Sequence, residues 1–443
     1  MTFTDTDDDR YLDAFETNTT TELIERARLS VTADLLPRLD LAELAKKRAQ
    51  PVQFAIERIA PLGEVTLFTG PGSGGKSLLA QQLCTAAAAS KQCLGLNVLA
   101  APALYLTCED GEGQLHYRQE RICEALSVPM ASLYGKLHLA SLRGRLDNEL
   151  EGKDDDGNYA PSKTYRLLAD TIKATGARIV ALDNVAHLFA GNENDRHDVT
   201  RFVNLLNRLA GKTGAAIILI GHPNKSGDAY SGSTAWLNAV RSQVWIDRER
   251  DADGTVLDPD RRVLSIGKGN YTRDGEVVRF RWHAWAFVLE DDLPADTRAE
   301  IDEIVKANGE NAAFMRCLAA TVEKRRAVSH NPGTNYAPTV FAKMPEGRGY
   351  SRKAFEGAFE RLLHLGEIEI DAQLWQRENR AWKYGIRAVD KCTDPLHRPP
   401  APTLSQAIDI ACTDPHQPPP PSNYVTNGAG PGGPPPLDER EAD

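Results

Sequence analysis

Apolar positions are sparse in the first fifty residues. Leu36–Leu44 carries them at helical spacing, so residues 1–50 are expected to form a helical, partly disordered arm. From Val52 to about Leu289 the pattern changes, and short apolar runs alternate with helical stretches. Strands are predicted at Glu64–Thr69, Ala103–Thr107, Lys136–Leu139, Ile179–Asp183, Ala216–Gly221 and Val244–Asp247. Runs that are apolar on both faces, with helices between them, imply a parallel sheet covered on both sides: a doubly wound α/β arrangement. Two further β-type runs, Arg262–Lys268 and Val277–His283, predict a hairpin or meander at the sheet edge.

A second pattern fills residues 300–389. Helical runs at Ile301–Ala307, Phe314–Arg325 and Arg352–Leu365 precede Gly366, a β-type run Glu367–Asp371, a charged turn and Ala381–Ile386. Helices followed by a two-strand hairpin give the order of a winged helix-turn-helix. Phe355, Phe359, Leu362 and Leu363 fall at helical spacing and are expected in its core. Residues 390–443 hold thirteen of the 26 prolines and an imperfect repeat, Cys392-Thr-Asp-Pro and Cys412-Thr-Asp-Pro. With so few large apolar side chains this tail cannot offset its chain entropy and is expected to be disordered. The expected division is therefore 1–50, 51–292, 300–389 and 390–443.

Composition narrows the function. The 443 residues are 41% hydrophobic and 26% charged, with a formal net charge of -10. That balance excludes coating of nucleic acid by bulk positive charge, but not a local basic surface. The C-terminal unit differs: residues 312–390 hold thirteen Lys/Arg against nine Asp/Glu. No apolar run approaches membrane-spanning length. The acidic start MTFTDTDDDRYLDAFE is neither a signal nor a transit peptide. Seven scattered cysteines without a C-x-x-C pair suggest reduced thiols. A cytoplasmic protein, bacterial or encoded by a phage or plasmid, is expected, with no membrane partner.

The chemistry is carried by Gly70-Pro71-Gly72-Ser73-Gly74-Gly75-Lys76-Ser77, which satisfies G-x-x-x-x-G-K-[ST] between a predicted strand and the helical run Leu78–Ala89. Backbone N–H groups from Gly70 to Leu78 and the helix N-terminus would cradle the phosphates of ATP. Lys76 would reach the β- and γ-phosphates, and Ser77 would ligate Mg²⁺. Ile179–Asp183 reads as the metal-side strand, with Asp183 holding Mg²⁺ partly through water. Asn184 follows where a second acid would serve, so water must be activated from elsewhere. Ala103–Thr107 leads to Glu109 and Asp110. Glu109 is the expected general base, with Asp110 as its support or a further metal-side acid. His222, after the run Ala216–Gly221, is positioned in sequence to sense the γ-phosphate. The acidic run Glu249-x-Asp251-x-Asp253-Gly254 reads as a turn, not a calcium loop.

Together these motifs resemble the RecA-like ATPases, specifically the plasmid and phage replicative helicases of the hexameric RepA type. The resemblance covers about residues 50–290. It rests on Gly70–Ser77, Leu104–Asp110, Ile179–Asp183 with Asn184 and His187, Gly221–Lys225, the Tyr230–Arg241 segment, and Lys268-Gly-Asn270-Tyr271. It implies a homo-hexamer, or another homo-oligomer, with ATP at subunit interfaces and single-stranded DNA through the centre. Glu109 matches the catalytic glutamate and His222 the γ-phosphate sensor. Arg241 and Lys268 match cations that can reach a neighbour's nucleotide. Pro223–Trp236, with Lys225 and Tyr230, would face the channel, and Leu188–Val199 is a second channel candidate. Arg352 and Lys353, on the first turn of a recognition helix, would meet duplex DNA, or the unit would bind a replication protein. A recombination or repair ATPase working as a filament, and an ATP-switched DNA-binding regulator, are the rival expectations.

Overall fold

The computed structural model describes residues 36, 38–153, 155, 157–221, 234–269 and 276–389, with Thr234, Lys268 and Gly269 by backbone only. Two compact units are present, Met1–Gln53 and Phe54–Asp443. In the first, helix α1 (Leu41–Ala45) starts later than the apolar spacing suggests, because Asp40 caps it by accepting from Ala42 N at 2.9 Å and Glu43 N at 3.2 Å. Most of the predicted arm and all of the proline-rich tail lie outside the described residues.

The second unit begins with β1 (Val65–Thr69), α2 (Lys76–Ala88), β2 (Ala103–Thr107), α3 (Glu112–Ala125), β3 (Leu137–Ser141) and α4 (Lys163–Thr175). It continues with β4 (Ile179–Asp183), α5 (Arg196–Thr213), β5 (Ala216–Ile220), α6 (Thr234–Ala239), β6 (Ser242–Arg248), β7 (Arg261–Gly269), β8 (Val277–His283) and β9 (Ala286–Val288). These strands form one nine-stranded sheet in the order β9-β8-β7-β6-β1-β5-β4-β2-β3. From β6 to β3 all neighbours are parallel, while β7, β8 and β9 add antiparallel. This large mixed sheet with its helices fits the expected α/β P-loop NTPase fold.

Each central strand feeds two cores by strict alternation. On one face Phe68, Ile179, Ala181, Ile218 and Ile220 pack with Leu79 and Leu83 of α2. On the other, Val65, Leu67, Val180, Leu182, Ile217 and Leu219 pack with Val199, Phe202, Val203 and Leu206 of α5 and with Leu168 and Ile172 of α4. Helix α2 is buried almost all round, which its small residues Ala80, Cys84 and Ala86–Ala88 permit. Gln82 ties it to β9 by a reciprocal pair, Nε2 to Phe287 O at 2.7 Å and Phe287 N to Oε1 at 2.9 Å.

The C-terminal part contains α7 (Ala295–Glu323), α8 (Ala337–Phe341), α9 (Arg352–His364) and a hairpin of β10 (Ile368–Gln376) with β11 (Trp382–Ala388). The two helices expected at Ile301–Ala307 and Phe314–Arg325 are one continuous α7. No proline interrupts it, and Gly309 serves packing: a Cβ there would lie 2.9 Å from the Tyr350 hydroxyl. Asn308 Nδ2 donates to Leu257 O at 2.9 Å, and Arg316 lies 3.5 Å from Asp253, so α7 is also pinned to the turn between β6 and β7. Phe355, Phe359 and Leu362 are buried as expected, while Leu363 is only partly so. Phe314 sits among Phe341, Phe355 and Phe359, with ring centroids 4.8, 6.4 and 6.1 Å away. Among the described residues no helix is long and apolar enough to cross a membrane.

Phe314→Ala should therefore open a cavity in this cluster and lower stability by about 3–5 kcal/mol. Denaturant unfolding followed by the fluorescence of the hairpin tryptophans measures it. A loss below about 1 kcal/mol would mean that the cluster collapses to refill the space.

Candidate functional site

The parallel strands end on one edge of the sheet, and a cleft of about 720 Å³ opens there. Gly70–Ser77 joins β1 to α2 at this edge. Gly70 has φ 150°, and a Cβ on it would lie 2.1 Å from Ile246 O. Gly75 has φ 95°, and its Cβ would meet Phe287 Cζ at 2.4 Å. No L side chain is accommodated at either position, so these glycines let the loop wrap tightly over β6 and β9. Ser73 also takes a positive φ of 59°.

Lys76 is buried and donates from Nζ to Gly70 O at 2.7 Å and Pro71 O at 2.9 Å. Burial pushes its pKa down, and Asp183 and Glu109 oppose that shift. Asp183, at the end of β4, is 1% exposed and accepts hydrogen bonds from the Ser77 hydroxyl and, at 2.6 Å, from Tyr105 Oη. Its pKa is raised by burial, against those two hydrogen bonds. Ser77 and Asp183 are hard oxygen donors side by side, a set that suits Mg²⁺ when phosphates and water complete the shell. Among the described residues no cluster of three His, Cys, Asp or Glu forms a metal site independent of such phosphates.

The two acids after β2 are held differently. Asp110 accepts from Arg118 Nη2 at 2.6 Å and is turned to that arginine. Arg118 Nη1 also reaches Tyr105 Oη at 3.4 Å and Gln81 Oε1 at 3.2 Å. Glu109 instead lines the cleft with its side chain 48% exposed. It accepts from Asn184 Nδ2 at 2.7 Å, and His187 Nε2 lies 3.7 Å away. The residue that occupies the usual second-acid position thus orients the acid that comes from β2.

The other predicted residues are more scattered. Arg241 is exposed and directly precedes β6. Parallel pairing sets Ser242 opposite Thr66, toward the sheet edge away from Gly70, and Lys268, opposite Gln243, is level with Leu67 in the middle of β1. Along the strands the backbone of Arg241 thus lies roughly 16 Å from the level of the loop, and that of Lys268 roughly 10 Å. Arg352 and Lys353 are exposed at the start of α9, where Ser351 accepts from Ala354 N at 3.1 Å. Arg352 donates to Glu356 Oε1 at 2.9 Å. His222, Lys225 and Tyr230 lie outside the described residues. The expectation that Pro223–Trp236 faces a channel fails at its end: Trp236 is buried, 5.4 Å from Phe189 and 6.2 Å from Phe202. Its indole is large and apolar, and the core of α5 takes it. The Glu249–Gly254 run is a turn, closed by Gly254 N donating to Asp251 O at 3.0 Å.

Sequence reasoning missed one wall of the cleft. Tyr117, Trp282 and Trp285 line it, with Trp285 centred 5.7 Å from Tyr117 and 5.3 Å from Trp282. The turn between β8 and β9 has only two residues, Ala284 at φ 46° and Trp285 at φ 66°. Such turns favour Asn and Gly, and a left-handed conformation costs other residues about 1 kcal/mol each. The aromatic spacing of Trp282 and Trp285 was the one available signal.

Residues 32–228 match a family model described as an AAA domain. The match supports an AAA-type P-loop ATPase domain over these residues, which implies nucleotide binding.

Because Asp183 is held charged in a buried place, its raised pKa has a definite sign. The group favours the fold below its unfolded pKa, and that benefit is lost as pH rises through the folded pKa. Asp183→Asn should raise stability at pH 8 by on the order of 1 kcal/mol, with the gain shrinking toward pH 5, and should abolish extra stabilisation by MgADP. Thermal melts at both pH values, with and without MgADP, test this. A destabilised variant at pH 8 would show that the hydrogen bonds to the carboxylate outweigh its burial.

Proposed function

We propose that the chain is an ATP-dependent DNA helicase of the RepA type, working as a homo-oligomeric ring on single-stranded DNA. The observation that carries this reading is the separation of charges across the sheet. Lys76, Ser77, Asp183 and Glu109 gather at one edge, while Arg241 precedes β6 at the other and the backbone of Lys268 lies level with the middle of β1. A cation set away from its own subunit's loop is suited to serve a neighbour's nucleotide, which would make turnover depend on assembly.

Within one site the roles follow from the contacts. The loop amides and Lys76 bind the phosphates. Ser77 and Asp183 would hold Mg²⁺, which would neutralise phosphate charge, and Tyr105 keeps the Asp183 carboxylate oriented. Glu109, fixed by Asn184, accepts the proton of the water that attacks the γ-phosphorus in line with the departing ADP oxygen. Asp110 is paired with Arg118 and serves as support. Tyr117, Trp282 and Trp285 offer faces on which a nucleobase can stack. His222 is the proposed γ-phosphate sensor, and Lys225 and Tyr230 the strand-tracking residues.

The helices α7, α8 and α9 with the β10–β11 hairpin are read as a winged helix. Glu356 engages Arg352, and Glu360 shares the exposed surface of α9. A replication protein suits this mixed surface better than duplex phosphate does.

Lys76→Ala should reduce ATP hydrolysis at least a hundredfold, and wild-type protein should unwind a forked duplex in an ATP-dependent way. Arg241→Ala should lower kcat by about a thousandfold. Mixing it with Lys76→Ala should restore part of the activity at hybrid interfaces, read by steady-state phosphate release. Turnover that survives Lys76→Ala removes the ATPase assignment. Hydrolysis without unwinding, accompanied by strand pairing, would favour a recombination filament.

A further inference from the structure

One side of the cleft carries a charge that the proposed mechanism leaves unused. Arg262, on β7, lies opposite Arg248 at the end of β6. Both line the cleft together with Gly74, Gly75 and Lys76. Arg262 is 6% exposed. Its Nε donates to the carbonyl of Gly74 in the phosphate loop at 3.2 Å, and Nη1 to the carbonyls of Pro259 at 2.5 Å and Arg261 at 3.2 Å. All three acceptors are neutral, and among the described residues Nη2 has no acceptor.

The carboxylates nearby are taken by another arginine. Arg281 pairs with Asp258 and lies 3.7 Å from Asp260, whereas Arg262 makes no ion pair among the described residues. Around Arg262 stand Arg281 and the exposed Arg248, with the acids Asp258, Asp260 and Asp247, none of which forms an ion pair with it among the described residues. A guanidinium does not give up its proton in a protein, so a buried one without a carboxylate is costly until an anion reaches it. Burial, and after it the like charge of Arg248, disfavour the cationic form of Arg262. The remaining N–H groups form a planar fork suited to phosphate oxygens.

We propose that Arg262 binds the phosphate chain of the nucleotide held by the same subunit's loop, as a cation in cis distinct from Arg241 and Lys268. This rests on the ATPase reading of the cleft. The bond to Gly74 O sets the guanidinium against the loop whose amides face the same phosphates. The ligand class is a nucleoside di- or triphosphate, and the recognition is of the phosphates, not the base.

The test is binding of ATP, ADP, inorganic tripolyphosphate and adenosine, each with Mg²⁺, to wild-type, Arg262→Lys, Arg262→Gln and Arg262→Ala protein. Calorimetry serves for the phosphates and ligand-observed NMR for adenosine. Arg262→Gln retains an N–H for Gly74 O and removes the charge, which keeps the test valid should the alanine variant misfold. The expected result is a tenfold to hundredfold loss for ATP, ADP and tripolyphosphate in the glutamine and alanine variants, unchanged adenosine binding, and partial recovery in the lysine variant. Unchanged ATP affinity in Arg262→Gln overturns the proposal, as does a parallel loss of adenosine, which would mark Arg262 as a brace for the loop. Wild-type protein that binds neither ATP nor tripolyphosphate overturns both this proposal and the ATPase reading beneath it. Tight wild-type binding with an indifferent Arg262→Gln overturns this proposal alone.

Discussion

The site depends on keeping the Asp183 carboxylate charged at the end of a fully buried strand. Desolvation alone would protonate it. Three neighbours work against that: the Ser77 hydroxyl, the Tyr105 phenol and the positive charge of Lys76. Two come from α2 and one from β2, so the carboxylate is stable only where α2, β2 and β4 meet in their observed order. Lys76 is affected in the opposite sense, its charge disfavoured by the same burial and supported by Asp183 and Glu109. A buried pair of this kind gives little net stability. What it gives is two groups of opposite sign, held without water, where a metal and phosphates can each find a partner.

The same sheet explains why the cleft has two unlike halves. Parallel strands bring β1, β2, β4 and β5 to one edge with their acids and glycines, and this half is polar. The antiparallel strands β7, β8 and β9 return to that edge from the other direction. They bring Arg262, Trp282, Trp285 and Phe287, whose contacts are apolar or cationic. Gly70 and Gly75 sit at the seam, pressed against Ile246 and Phe287. Nucleotide chemistry needs both halves: oxygen donors for the metal, and flat apolar faces with positive charge for the remainder of the ligand.

Legibility in the sequence follows the range of the interaction. Central strands buried on both faces leave continuous apolar runs, so Ala103–Thr107 and Ile179–Asp183 are predicted to the residue. The phosphate loop is legible because its glycines answer local clashes. Contacts set by helix crossings are not. Nothing in the spacing of Arg118 and Asp110 shows that this arginine also reaches Tyr105, because that depends on how α3 lies over α2. The break expected between Ala307 and Phe314 failed because Gly309 serves a tertiary contact with Tyr350 and does not end the helix. The resemblance sets Trp236 in a channel-facing loop; in the structure it is buried against Phe189 and Phe202.

Charge balance carries the reasoning furthest. The chain as a whole is acidic, with a net of -10, yet the cleft wall holds the buried Arg262, which makes no ion pair among the described residues. An acidic surface weakens long-range attraction for any polyanion. Positive charge that is buried and directed into a cleft keeps its strength, because little water screens it. The sheet thus separates two tasks that a uniformly basic protein would confuse: gripping a small, highly charged ligand inside, and avoiding indiscriminate adhesion to nucleic acid outside.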